Sequence, residues 1–285
     1  MQKVWLITGS SRGIGRALAE AVLASGDNLV ATARNPGQLS DLSERYGGQV
    51  LTLALDVTDE TAAAAAVEAG VKRFGRIDVL VNNAGYGNVG SIEDTSLADF
   101  RAQIETNLFG TVIMSKAVIA LMRGQGAGHI IQFSSVGGRI GPAGRGAYSA
   151  AKFGVEGFSE VLAKEVAPFG IKVTIVEPGF FRTDFLADTS LAISPASIAD
   201  YEGTPAGNMR NFAADANHAQ PGDPARLAAG IMAMVASANP PLRMPFGSDT
   251  VAMIEAQHAS VEKELAVWRQ LALSTDFPSN ATSTA

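Results

Sequence analysis

Val4-Trp5-Leu6-Ile7-Thr8-Gly9-Ser10-Ser11-Arg12-Gly13-Ile14-Gly15 is the stretch that decides the fold. Its first four residues form an apolar run with the length and composition of a buried strand. Beyond the turn, Ile14, Leu18 and Val22 recur at helical spacing, and Gly26 is placed to stop the helix. A strand, a glycine turn and a helix N-terminus in this order cradle a pyrophosphate, because backbone N–H groups and the helix dipole face the anion. Gly9, Gly13 and Gly15 give the chain room to turn and a phosphate room to approach. Ser11, Arg12 and Ile14 complete the candidate contact surface. The same turn also suits a plain strand-to-helix connection without a ligand, so its meaning depends on the rest of the chain.

Short apolar segments and helical ones alternate from there on. Strand candidates fall at 29–33, 50–55, 79–81, 129–133 and 173–176, with a late one near 242–244. Helix candidates lie at 40–46, 61–74, 99–123 and 148–167. This repetition predicts an α/β, Rossmann-type, doubly wound parallel sheet of about seven strands with helices on both faces. Ligands then bind at the carboxyl ends of the strands. A single domain is expected over residues 1–273, since α/β folds often run to that length. The rhythm breaks over 184–222, read as an irregular substrate loop, and the polar tail at 274–285 is expected to be flexible.

Composition narrows the function classes. An apolar content of 47% and 30 glycines suit a buried sheet with tight turns. The net charge of −6 and the lack of a basic cluster argue against a nucleic-acid partner. No 18-residue window is uninterruptedly apolar, so no membrane span is expected. The first strand begins at once, leaving no room for a signal peptide, and a cytoplasmic location is expected. In that setting the sequon Asn280-Ala281-Thr282 carries no meaning. The chain contains no cysteine, which removes disulfides, thiol nucleophiles and cysteine metal sites. His129, His218 and His258 are dispersed and have no metal-ligand spacing.

Tyr148-Ser-Ala-Ala-Lys152 sits in helical surroundings, so the phenol and the ammonium share one helix face. A nearby cation favours the phenolate and is expected to lower the phenol's pKa towards working pH. Tyr148 is thereby a candidate proton donor and acceptor.

Together, Thr-Gly-x-x-x-Gly-x-Gly at 8–15, Asn-Asn-Ala-Gly at 82–85, Ser135 and Tyr-x-x-x-Lys at 148–152 resemble the short-chain dehydrogenase/reductases, in their shorter single-domain branch. Pro178-Gly179 followed by Thr183 fits the same pattern, and the resemblance is dense over residues 3–185. It implies that Ser135 hydrogen-bonds the reacting carbonyl and that Tyr148 transfers the proton. It also implies that Lys152 binds ribose hydroxyls and lowers the Tyr148 pKa, and that Asn107 holds a water linking that lysine to solvent. Asp56 and Val57 resemble the adenine contact. Asn83, Ala84 and Gly85 close the fourth strand beside the cofactor, with the asparagines read first as structural support. Pro178, Gly179 and Thr183 would shape the nicotinamide pocket. Asp56 also suits the cap of the next helix, a role that does not exclude the adenine contact.

Cofactor choice follows from the end of the second strand. An acid there selects NAD through the ribose 2′-hydroxyl, whereas an arginine accepts the 2′-phosphate of NADP. Here Ala33 occupies the acid's position and Arg34 follows it, with Arg12 as a second cation. NADP(H) is therefore the expected cofactor, with NAD(H) possible. Phe180, Phe181, Phe185, Met209 and Phe212 suggest an apolar lid, and Tyr86 and Val89 an opposite wall, favouring a hydrophobic carbonyl or alcohol. Two other readings stay open: a nucleotide-binding regulator without turnover, and an epimerase or lyase that uses the hydride transiently. The resemblance also implies a homodimer or homotetramer, with Phe153, Phe158 and Leu162 facing either the sheet or a partner.

Overall fold

Side chains of the first strand alternate between two apolar layers. Trp5 and Ile7 enter one, Val4 and Leu6 the other, and all four are buried. Burial on both faces explains why this strand reads as a continuous apolar run and not as an alternating one. The computed structural model describes residues 2–187, 190–194 and 198–277.

In chain order the strands are β1 (Val4–Ile7), β2 (Asn28–Ala33), β3 (Val50–Ala54), β4 (Val79–Asn82), β5 (Gly87–Val89), β6 (Gly128–Phe133), β7 (Ile171–Pro178), β8 (Leu191–Ile193) and β9 (Arg243–Phe246). Seven of them form one parallel sheet in the order β3-β2-β1-β4-β6-β7-β9. Its register sets Leu6 beside both Val30 and Leu80, and Ile131 beside Thr174. Strand order reverses between β1 and β4, which opens a crevice at their carboxyl ends. β5 and β8 pair separately as a small parallel ribbon beside that crevice.

The helices are α1 (Gly13–Ala24), α2 (Ser40–Tyr46), α3 (Glu60–Phe74), α4 (Leu97–Ile104), α5 (Gly110–Gln125), α6 (Gly146–Val166), α7 (Pro205–Ala216), α8 (Pro224–Ala236) and α9 (Ser248–Leu273). On one face of the sheet, Leu18 and Val22 of α1 pack with Leu227 and Ile231 of α8. On the other, Val67 of α3, Met114 and Val118 of α5 and Leu162 of α6 fill the core. Each such fully buried aliphatic side chain contributes about 1.5–3 kcal/mol. Asp59 accepts from the Thr61 and Ala62 N–H groups and caps α3. The expected role of Asp56 as that cap is therefore corrected: the Asp56 carboxylate is turned to Thr58.

The helix expected at 99–123 is a longer run with an interruption. Between α4 and α5, Glu105–Phe109 forms a π-helical turn that holds Asn107. By length and composition the run Leu97–Gln125 could cross a membrane, yet Met114, Val118 and Met122 are fully buried in this fold's core. The segment 184–222 is less irregular than its sequence implies, since it contributes β8 and α7. α8 and α9 were also not expected. The α8 start is marked by Asp223-Pro224, with Asp223 accepting from Ala225 N. In α9 only Thr250 and Ile254 are buried, and its apolar Val261, Leu265, Trp268 and Leu271 are exposed. Of the tail, 278–285 lies outside the described residues, as do 188–189 and 195–197 of the substrate segment.

Candidate active site

The glycine turn is built by contacts between β1 and β4. The Thr8 hydroxyl accepts from the N–H groups of Asn83 and Ala84, both at 3.0 Å. The Asn83 amide donates back to the carbonyls of Thr8 (2.9 Å) and Gly9 (3.1 Å). Gly9 and Gly13 have φ of +70° and +58°, the left-handed region that glycine alone adopts freely. At Gly15 a Cβ would fall 2.3 Å from the Gly9 carbonyl oxygen and 2.4 Å from Asn83 Nδ2. The first turn of α1 can therefore approach this loop only with glycine there, and the asparagine does hold backbone groups in place.

Ser11, Arg12, Gly13 and Ile14 line a cavity of about 1060 Å³ at the carboxyl edge of the sheet. Ala33, Arg34, Asp56, Val57, Ala84 and Gly85 share this cavity with them. At the end of β2, Ala33 is buried and Arg34, next in the chain, is exposed. Arg12 occupies the N-cap position of α1. The Thr58 N–H and hydroxyl both donate to Asp56, holding its carboxyl below the usual carboxylate range.

Across the same cavity, α6 brings Tyr148 and Lys152 to the ends of β6 and β7. The Lys152 ammonium lies 5.7 Å from the centre of the Tyr148 ring and donates to the Phe133 carbonyl at 2.7 Å. Burial pulls the Lys152 pKa down to about 8. Ser135 lies just past β6 and accepts from Gly137 N at 3.1 Å. Asn107 is fixed from both ends: its amide donates to the Tyr86 carbonyl (3.0 Å) while its oxygen accepts from Tyr86 N (3.2 Å). The expected downward shift of Tyr148 needs correction. Burial raises its pKa, and only in part do Arg145 and then Ser135 oppose the rise.

Pro178 ends β7, and Gly179 packs so closely on Asp249 and Thr250 that a Cβ would meet both at 2.3 Å. Thr183 follows on the cavity wall and accepts from Phe185 N. The five apolar residues expected as a lid all line the cavity, with Phe180 edge-on to Phe212 and Tyr148 edge-on to Phe185. Tyr86 lines it too, but Val89 does not: it is fully buried against Leu191 and Ala213 under the β5–β8 ribbon. Leu162 points into the core, Phe158 packs at its edge and Phe153 is exposed. Sequence reasoning missed Arg145, Ile140 and Pro142 on this wall, and Met253, which α9 supplies from more than a hundred residues away. Arg145 alone had a local signal, one helical turn before Tyr148.

A parallel sheet with a glycine turn at its switch point and a Ser, Tyr, Lys and Asn set in one cavity defines a dinucleotide-dependent oxidoreductase. The short chain dehydrogenase profile matches residues 3–193, and the chain belongs to that family. It is 45% identical over 280 residues to oxidoreductase BOA17 of Botryotinia fuckeliana, covering 96% of this chain and 100% of that protein. It is 38% identical to the 3-ketodihydrosphingosine reductase of Bacteroides thetaiotaomicron, over 86% of this chain and 88% of that one. The crystal structure of a short-chain dehydrogenase from Streptomyces avermitilis superposes with a TM-score of 0.90 at 41% identity, covering 97% of this chain and all of that one. Members of this family use NAD or NADP, and this chain is an oxidoreductase of that kind.

Proposed function

We propose that this protein is an NADP(H)-dependent carbonyl reductase, reversible as an alcohol dehydrogenase, acting on a ketone or aldehyde with apolar substituents. The observation that carries the reading is the buried pairing of Tyr148 with Lys152 on one face of α6, with Ser135 beside them. The residues fit a nicotinamide dinucleotide: the glycine turn leaves no room for a Cβ at Gly15, and Arg12 and Arg34 line the cavity, with Ala33 and not an acid at the end of β2. Bound there, the nicotinamide supplies or takes up the hydride.

The remaining chemistry belongs to the chain. The Ser135 hydroxyl donates to the carbonyl oxygen and stabilises charge developing on it. Tyr148 gives its proton to that oxygen and recovers it in reverse. Lys152 binds the ribose hydroxyls, and its charge favours the phenolate left on Tyr148. Asn107, locked to Tyr86, positions the water that reconnects Lys152 to solvent. Thr183 holds the carboxamide, and Phe180, Phe185 and Phe212 exclude water around the apolar substituents. Half-exposed Phe109, at the end of the π-helical turn, and Phe153 and Val161 on α6 supply an apolar face for a homodimer or homotetramer.

The test is oxidation of NADPH and NADH against small, aromatic and bulky carbonyls, with Tyr148→Phe alongside. NADPH-selective turnover that falls about 10²–10⁴-fold in the variant, with nucleotide binding retained, is the expected result. Tight NADPH binding with no turnover across the panel would defeat the reductase reading, and NADH preference would defeat the cofactor assignment.

A further inference from the structure

Arg145 has no part in the reaction as laid out, yet it sits in the reaction chamber. Its side chain is 7% exposed at the start of α6, and its guanidinium carbon lies 4.6 Å from the centre of the Tyr148 ring. The far end rests against Gly87, where a Cβ would be 3.3 Å from Arg145 Nη2, 3.3 Å from Phe185 and 2.9 Å from Leu191. These neighbours are apolar or aromatic. Among the described residues no hydrogen bond or ion pair reaches the guanidinium, and its buried Nε has no partner.

Other arginines held in this fold are answered by carboxylates: Arg139 by Glu177, and Arg243 by Glu156, Glu160 and Glu177. Arg145 is not. Arginine does not shed its charge in proteins, and a desolvated charge persists where an opposite charge meets it. Stacking on Tyr148 uses one face of the plane and leaves the N–H edge for an in-plane acceptor. A carboxylate is the acceptor that such an edge fits with two parallel hydrogen bonds. Tyr148 does not serve, because burial keeps its phenol protonated and it presents a ring face.

We propose that Arg145 is an anion-binding subsite of the substrate pocket, so that the preferred carbonyl substrate carries a carboxylate on the side lined by Phe185 and Leu191. The word substrate rests on the reductase reading; the anion site itself does not. This subsite lies on the β5–β8 side of the cavity and is separate from the glycine turn that faces the cofactor's phosphates.

Isothermal titration tests it with protein saturated by NADP⁺, where the oxidised cofactor prevents turnover of a ketone. The probes are 4-oxo-4-phenylbutanoate and its primary amide, titrated into wild type, Arg145→Met and Arg145→Lys. The acid is expected to bind wild type at least about tenfold more tightly than the amide, as charge-assisted hydrogen bonds do. That preference should fall to within about twofold in Arg145→Met and return in part in Arg145→Lys. NADP⁺ titration of each variant checks that the fold is intact; if Arg145→Met does not fold, the wild-type and Arg145→Lys preferences decide. A wild type that does not prefer the acid, or binds neither probe, overturns the proposal, and so does a preference that survives in Arg145→Met. Acid-selective binding in a protein that turns over no carbonyl would sink the reductase reading and leave the anion site standing.

Discussion

Lys152→Met is expected to make the nucleotide-free protein more stable at pH 7 while removing its activity. The ammonium is buried, and its pKa of about 8 lies well below the ordinary 10.5. At 1.36 kcal/mol per pH unit, that difference amounts to roughly 3 kcal/mol of destabilisation. The sign follows from proton binding: between pH 8 and 10.5 the unfolded chain holds the lysine proton and the folded one releases it, so wild-type stability rises across that window. Below pH 8 both states are charged and the full penalty applies. Methionine fills similar space but gives up the Nζ–Phe133 carbonyl bond, leaving a buried acceptor at a cost of about 1–2 kcal/mol. The net expectation is a gain of about 1–2 kcal/mol at pH 7 that shrinks by about 2–3 kcal/mol by pH 10 and changes sign. Urea denaturation at the two pH values, followed by far-UV circular dichroism, reads this directly. A stability difference that does not change with pH would refute the reasoning, as would a variant less stable than wild type at pH 7.

Three further outcomes are expected. Gly15→Ala drives a methyl into the Gly9 carbonyl and Asn83, so denaturation should show a loss of about 1–3 kcal/mol, with nucleotide affinity falling too; unchanged affinity would remove the turn from the cofactor site. Arg34→Asp should lower the ratio of kcat/KM with NADPH to that with NADH by about 100-fold or more, because it replaces a phosphate donor by a repelling acid; a constant ratio would place the 2′-phosphate elsewhere. Asp223→Ala removes the acceptor for the Ala225 and Arg226 N–H groups and should cost about 1 kcal/mol in thermal or chemical denaturation, without changing nucleotide Kd.

How much was legible depended on which physical signal each residue carried. Val4–Ile7 and the glycines after it were readable because a doubly buried strand and a left-handed turn restrict composition strongly. Tyr148 and Lys152 were readable because one helix fixes their spacing without help from the fold. α9 was not, since most of its apolar residues, Val261, Leu265 and Trp268 among them, meet solvent and pack on no part of this fold. α7 has little apolar surface to bury, with Ala213 fully buried beside Val89 and Leu191, so its stretch looked like loop. Val89 failed as a cavity wall because Leu191 and Ala213, more than a hundred residues later in the chain, cover it. The Tyr148 shift went the other way because the depth of burial, which no local spacing reports, outweighs the neighbouring charge. Arg145 carried only a position, and its isolation from every carboxylate among the described residues emerges from the packed cavity alone.

The bonds between Thr8 and Asn83–Ala84 join segments 75 and 76 residues apart. The glycine turn is thus a product of long-range closure: it needs β4 beside β1, and Asn83 against Gly15, before its N–H groups are fixed. Parallel pairings of this kind raise contact order and form slowly, because loop entropy is lost before contacts reward it. Dinucleotide capture therefore reports that the centre of the sheet has closed, and a refolding chain should acquire it late, after local helix formation. Once acquired, the ligand pulls the population toward the native state by mass action, so cellular nucleotide acts as a folding effector of this chain as well as its redox partner.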